Sequence, residues 1–122
     1  MTTLLIVDDD ARMRSLIRSI VADLADAITE CGDGEEAETF FAEHQPDWVL
    51  MDLVMPRVNG LEATRRILGT NPAAKIVMVT GQDGPGLCDA ALSAGACAFV
   101  SKENLSDLRQ LIQTGSLMSD KL

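Results

Sequence analysis

The chain has 122 residues, 47% of them hydrophobic, which suits one domain with one buried core and argues against disorder. Asp and Glu number 19 against 10 Lys and Arg, a formal net charge of −9, so direct contact with a nucleic-acid backbone is not expected and protein partners are. No apolar run reaches the roughly 18 residues of a membrane span, the opening MTTLLIVDDD has no basic stretch of a signal peptide, and Cys31, Cys88 and Cys97, scattered beside a single His, suit reduced thiols in a cytoplasmic setting rather than a zinc site.

Short apolar runs alternate with helical patterns along the chain. The first run, 4–7, ends at three acids. Residues 11–25 then place Met13, Leu16, Ile17, Ile20, Val21 and Leu24 at the spacing that gives a helix one apolar stripe. After a second run at 27–29, Asp33 with Glu36 three positions on predicts an N-cap and a helix over 34–43 that buries Ala37, Phe40 and Phe41. His44 falls where a cation suits the helix dipole, and Pro46 closes the region. The third run, 48–51, leads into Asp52, and Leu61, Thr64, Ile67 and Leu68 mark a helix over 60–69. The fourth run, 76–79, precedes GQDGPG at 81–86, whose Gly and Pro content predicts a short fourth helix over 86–94 closed by Gly95. A fifth run covers 96–100. Asn104 with Asp107 opens the last helix, which carries Leu105, Leu108, Leu111 and Ile112 and closes at Gly115. Residues 1–115 thus form one domain, and 116–122 a polar tail expected to fray.

Five strands alternating with five helices imply an α/β fold of three layers, (βα)5, with a parallel sheet covered on both faces. The runs LLIV, WVLM and IVMV lack alternation, as strands buried on both faces should. A flavodoxin-like order, 2-1-3-4-5, is the expected arrangement, although periodicity alone does not fix it.

Ligands in such a sheet bind beyond the carboxyl ends of the strands. After the first strand come Asp8, Asp9 and Asp10; after the third, Asp52; after the fourth, Thr80 and Gly81; at the end of the fifth, Ser101 and Lys102. The second strand contributes nothing evident. Carboxylates sharing a pocket repel one another, and a hard divalent cation relieves the repulsion. The plain alternative is a solvated loop with a helix cap, which fits Asp10 well. Asp52 is either a strand-end carboxylate satisfied by loop amides or a nucleophile that forms an acyl phosphate. In the latter case Thr80 and Lys102 are placed to meet phosphoryl oxygens, with Gly81 leaving room for a donor.

The segments LIVDDD, VLMDLVMPRVNGLEA, IVMVTG and GACAFVSK resemble the response-regulator receiver family, over nearly the whole chain. The resemblance implies Mg²⁺ held by Asp8, Asp9, Asp52 and the backbone carbonyl of Val54. It implies phosphorylation of Asp52 by a sensor histidine kinase or histidine phosphotransfer protein, with Thr80 and Lys102 assisting. Thr80 and Phe99 would then switch a surface made of the fourth helix, fifth strand and fifth helix, read by a downstream protein or output domain. Phe99 is equally compatible with plain core packing. One departure stands out: the family usually has a Pro after the lysine in a cis peptide, and here Glu103 follows, so that loop is expected to be built differently.

Two other readings compete. An aspartyl-phosphatase of the haloacid dehalogenase type would use Asp8 and Asp10, but it would have Thr or Val where Arg12 stands, and it would leave Asp52 idle. A receiver-like interaction module that is never phosphorylated would not need the full set of Asp8, Asp9, Asp52, Thr80 and Lys102.

Overall fold

The computed structural model describes residues 2–55, 58–81 and 86–115. The proposed tail, 116–122, and most of the Gly-rich loop, 82–85, lie outside them. Five parallel strands, β1 (Thr3–Val7), β2 (Ala27–Cys31), β3 (Trp48–Asp52), β4 (Ile76–Thr80) and β5 (Ala98–Ser101), stand in the order β2-β1-β3-β4-β5. The helices are α1 (Ala11–Val21), α2 (Gly34–His44), α3 (Gly60–Thr70), α4 (Leu87–Ser93) and α5 (Ser106–Thr114). This is the flavodoxin-like (βα)5 arrangement that the alternation of elements implied.

The unalternating strands are the central ones. Every residue of β3 and β4 is buried, whereas edge strand β2 is buried only at Cys31. Alternate side chains feed two cores. Leu5, Val7, Val49, Met51, Ile76 and Met78 meet Ala37 and Phe41 of α2, Ala63 and Ile67 of α3 and Ala91 of α4. Leu4, Ile6, Leu50, Val77 and Val79 meet Ile17 and Val21 of α1 and Leu108 and Leu111 of α5. Trp48 and Phe41 are core as expected, and Phe40 is half-buried against the first core, its ring 6.0 Å from that of His44.

Local chemistry sets the helix starts. Asp10 caps α1 by accepting from the Arg12 amide, Asp33 caps α2 by accepting from Glu35, and Asn59 caps α3 by accepting from Glu62. Three expectations need correction. Leu16 is 46% exposed, because it lies about 100° round α1 from Ile17 and falls off the margin of the stripe. The helix predicted over 11–25 stops at Val21 and tightens into a 3-10 turn over Ala22–Leu24. The last helix does not open on Asn104: Ser101 instead caps a 3-10 turn over Lys102–Asn104 by accepting from the Glu103 amide at 3.1 Å, and α5 begins at Ser106. The described residues include no cis peptide, so the Lys102–Glu103 bond is trans. The loop after the lysine thus continues through a trans peptide into a 3-10 turn.

Candidate functional site

The carboxyl ends of β1, β3, β4 and β5 open onto one cleft of about 380 Å³, lined by Asp8, Asp9, Asp10, Asp52, Val54, Thr80, Gly81 and Lys102. Register explains the convergence. Asp52 closes β3 opposite Val79, so Thr80 reaches one residue further, opposite Ser101 of β5. Lys102 follows immediately, and the Ser101-capped turn brings its side chain over the rim. Asp52 is fixed from behind by α3. The Gly60 amide donates to Leu53 O at 2.9 Å, and a Cβ at Gly60 would collide with the carbonyl oxygen of Asp52. Only glycine lets the helix approach this closely.

Asp8, Asp52 and Thr80 are buried, while Asp9 is exposed. One carboxylate oxygen from each of Asp8, Asp9 and Asp52 lies within 4.8 Å of the others. Lys102 Nζ stands 3.1 Å from Asp8 Oδ2 and 3.1 Å from Asp52 Oδ1. Among the described residues no donor meets Asp8 Oδ2 in hydrogen-bond geometry, so the lysine contact is an ion pair out of alignment. A buried, unsaturated carboxylate oxygen beside two more carboxylates is a donor set that fits a hard divalent cation.

The electrostatics agree. Burial pushes the Asp52 pKa up to about 6; the charge of Asp8 adds to the rise, and Lys102 opposes it. Burial also works against the Lys102 ammonium, but its close contacts with the Asp8 and Asp52 carboxylates outweigh that and hold its pKa above the ordinary lysine value. Three carboxylates thus face one ammonium, and the pocket is short of positive charge.

The acids, Thr80, Gly81 and Lys102 singled out in the sequence all line the cleft, as does Val54, which is 57% exposed; Ser101 does not line it and instead caps the turn that carries Lys102. Phe99 does not line the cleft; it is half-buried in β5 and packs on the core beneath α2, α3 and α4. Asp10 has another task, since its Oδ1 accepts from the Arg12 amide at 2.9 Å. Sequence reasoning missed one contact: Arg14 Nη1 donates to the Asp8 carbonyl at 2.6 Å. The available signal was an Arg on the first turns of α1, and its meaning depends on which strand lies beside β1.

Comparison with known proteins decides what the cleft belongs to. The model of the response regulator receiver domain family matches residues 4–113. The chain is a member of that family. It is 37% identical over 108 residues to the chemotaxis protein CheY of Listeria monocytogenes, spanning 88% of this chain and 91% of that one. A two-component response regulator of the LuxR family from an Aurantimonas species matches with a TM-score of 0.85 at 32% identity, over 93% of this chain and 84% of that one. A DNA-binding response regulator of the LuxR family from Staphylococcus aureus matches with a TM-score of 0.83 at 27% identity, over 93% and 97%. Receiver domains work as phosphorelay switches whose own phosphorylation and dephosphorylation are their chemistry, and the acid cluster of this chain is built for that role. The dehalogenase-type reading falls here, with Asp10 occupied as a helix cap and Asp52 at the centre of the pocket. No helix among the described residues is long and apolar enough to cross a membrane.

Proposed function

We propose that Asp52 is the phosphoacceptor, that the ion is Mg²⁺, held by Asp8, Asp9, Asp52 and the Val54 carbonyl, and that the donor is a sensor histidine kinase or a histidine phosphotransfer protein in the cytoplasm. The observation that carries this reading is the convergence of three carboxylates with Lys102 Nζ, which reaches Asp8 and Asp52 alike at 3.1 Å. Bound Mg²⁺ neutralises charge on the acids and on a phosphoryl group and fixes their relative positions.

The residues divide the work. A carboxylate oxygen of ionised Asp52 attacks phosphorus; the bond from phosphorus to the donor imidazole nitrogen breaks, and its electron pair leaves with the imidazole. Lys102 pairs with the charge that develops on a phosphoryl oxygen. Thr80, 1% exposed at the end of β4, offers its hydroxyl to another. Drawing Thr80 toward the phosphoryl group loosens the space beside Phe99, one strand over, and lets that ring turn inward. The face of α4, β5 and α5 changes as a result and is read by a downstream protein or output domain.

Intact-mass measurement after incubation with acetyl phosphate tests the assignment. The wild type gains one phosphoryl group with Mg²⁺ present and none with EDTA, and Asp52→Asn gains none in either case. An Asp52→Asn variant that still takes up the group overturns the assignment. A wild type with no uptake under any condition favours an interaction module that is never phosphorylated.

A further inference from the structure

We propose that Arg14 is a positioning residue for the cation site, and that it ties Asp8 to edge strand β2 through Glu30. The proposal rests on the reading that Asp8, Asp9 and Asp52 hold Mg²⁺.

Each polar atom of Asp8 has a distinct neighbour. Its amide donates to Cys31 O at 3.0 Å, at the end of β2. Its Oδ1 accepts from the Asp10 amide at 2.9 Å. Its carbonyl accepts from Arg14 Nη1 at 2.6 Å. Only Oδ2 is left facing Lys102 and the pocket. Arg14 is itself held in place: its Nε donates to Glu30 Oε1 at 3.1 Å, and the other oxygen of Glu30 accepts from Arg18 Nε at 2.6 Å. The guanidinium lies where a Cβ on Gly32 would come within 3.1 Å of Nη1, so the absence of a side chain at Gly32 makes room for it. A planar, rigid fork that satisfies a carbonyl on one side and a carboxylate on the other fixes both, which a flexible ammonium does not. The edge strand, which brings no residue to the cleft, thereby sets the orientation of a ligand within it.

Positioning and simple charge make opposite forecasts. Arg14 is a cation beside an acid cluster. On charge alone its removal leaves the pocket more negative and tightens Mg²⁺ binding. As a positioning residue its removal loosens the backbone at Asp8, lets the carboxylate it carries shift, and weakens binding, by about tenfold given the usual loss when an outer support of a metal ligand is removed. Calorimetric titration of the whole chain with Mg²⁺, wild type against Arg14→Met and Arg14→Lys, separates the two. Thermal unfolding without metal is recorded alongside, because a merely structural role lowers the unfolding midpoint and leaves the dissociation constant of the folded protein unchanged. The expected result is a dissociation constant raised about tenfold in Arg14→Met and by a smaller factor in Arg14→Lys. Binding in Arg14→Met as tight as in wild type, or tighter, overturns the proposal. Should Arg14→Met not fold, Arg14→Lys decides: it keeps the charge, so unchanged binding overturns positioning and weakened binding supports it. Failure of the wild type to bind Mg²⁺ sinks the reading of the acids as a metal site, a different outcome from a wild type that binds and a variant that binds equally well.

Discussion

Two charge clusters lie near each other, one at the strand end before α1 and one between α1 and β2, and they are balanced in opposite ways. In the cleft, three carboxylates face one ammonium, and the pKa of Asp52 is pushed up. Beside it, one carboxylate, Glu30, faces two guanidiniums, those of Arg14 and Arg18. The bond from Arg18 pulls the Glu30 pKa below its ordinary value; partial burial opposes this, and Arg14 adds to it. The second cluster is complete without any ligand and holds parts in place. The first is complete only when a cation arrives, and that deficit is its function. Both motifs are acids and bases packed beside β1 and α1, so it is the ratio and the burial that tell a switch from a brace.

The two clusters should therefore shift stability with pH in opposite senses. For Asp52 the folded pKa of about 6 lies above the ordinary 3.8. Between those values the folded state binds more protons than the unfolded one, so stability falls as pH rises through that window, and the penalty is complete above it. Without divalent cations, Asp52→Asn should be more stable than wild type at neutral pH by on the order of 2–3 kcal/mol. The gap should close near pH 4, and added Mg²⁺ should stabilise wild type more than the variant. Urea unfolding across this pH range with EDTA checks it; a variant no more stable than wild type at neutral pH would contradict the charge deficit. The smaller effect belongs to the brace. Glu30 has a depressed pKa, so its contribution is present above the ordinary carboxylate value and is lost as pH falls through the folded pKa. The Glu30 side chain is partly exposed, and solvent screening limits the loss in Glu30→Gln to about 1 kcal/mol at neutral pH, fading in acid. The same denaturation series reads it, and the comparison fails if both variants move stability in the same direction at neutral pH.

Much of the pocket was legible because its parts sit at the ends of strands. Once the fold is read as parallel β/α, Asp8, Asp9, Asp52, Thr80 and Lys102 must share a rim whatever the fine packing. The brace was not legible. Glu30 and Arg14 are 16 residues apart, and only the placement of β2 next to β1 brings them together. The same holds for Arg109, whose guanidinium pairs with Asp23 across 86 residues and ties α5 to the turn after α1. Periodicity overreached at Leu16, because a stripe drawn on 3.6 residues per turn does not say where its margin lies. Asn104 carried a sound capping signal, but Ser101 lay three residues earlier and took the turn.

The central claim is that Asp52 is buried in a pocket short of positive charge, and the carbon-13 chemical shift of its side-chain carboxyl, followed against pH, tests it most directly. Spectra of selectively labelled chain, assigned by comparison with Asp52→Asn, would be recorded with EDTA and again with Mg²⁺. A titration midpoint raised to about 6 without metal by burial and the neighbouring acids, moving well down when Mg²⁺ is added, is the expected result. A midpoint at the ordinary 3.8 that does not respond to Mg²⁺ would contradict it.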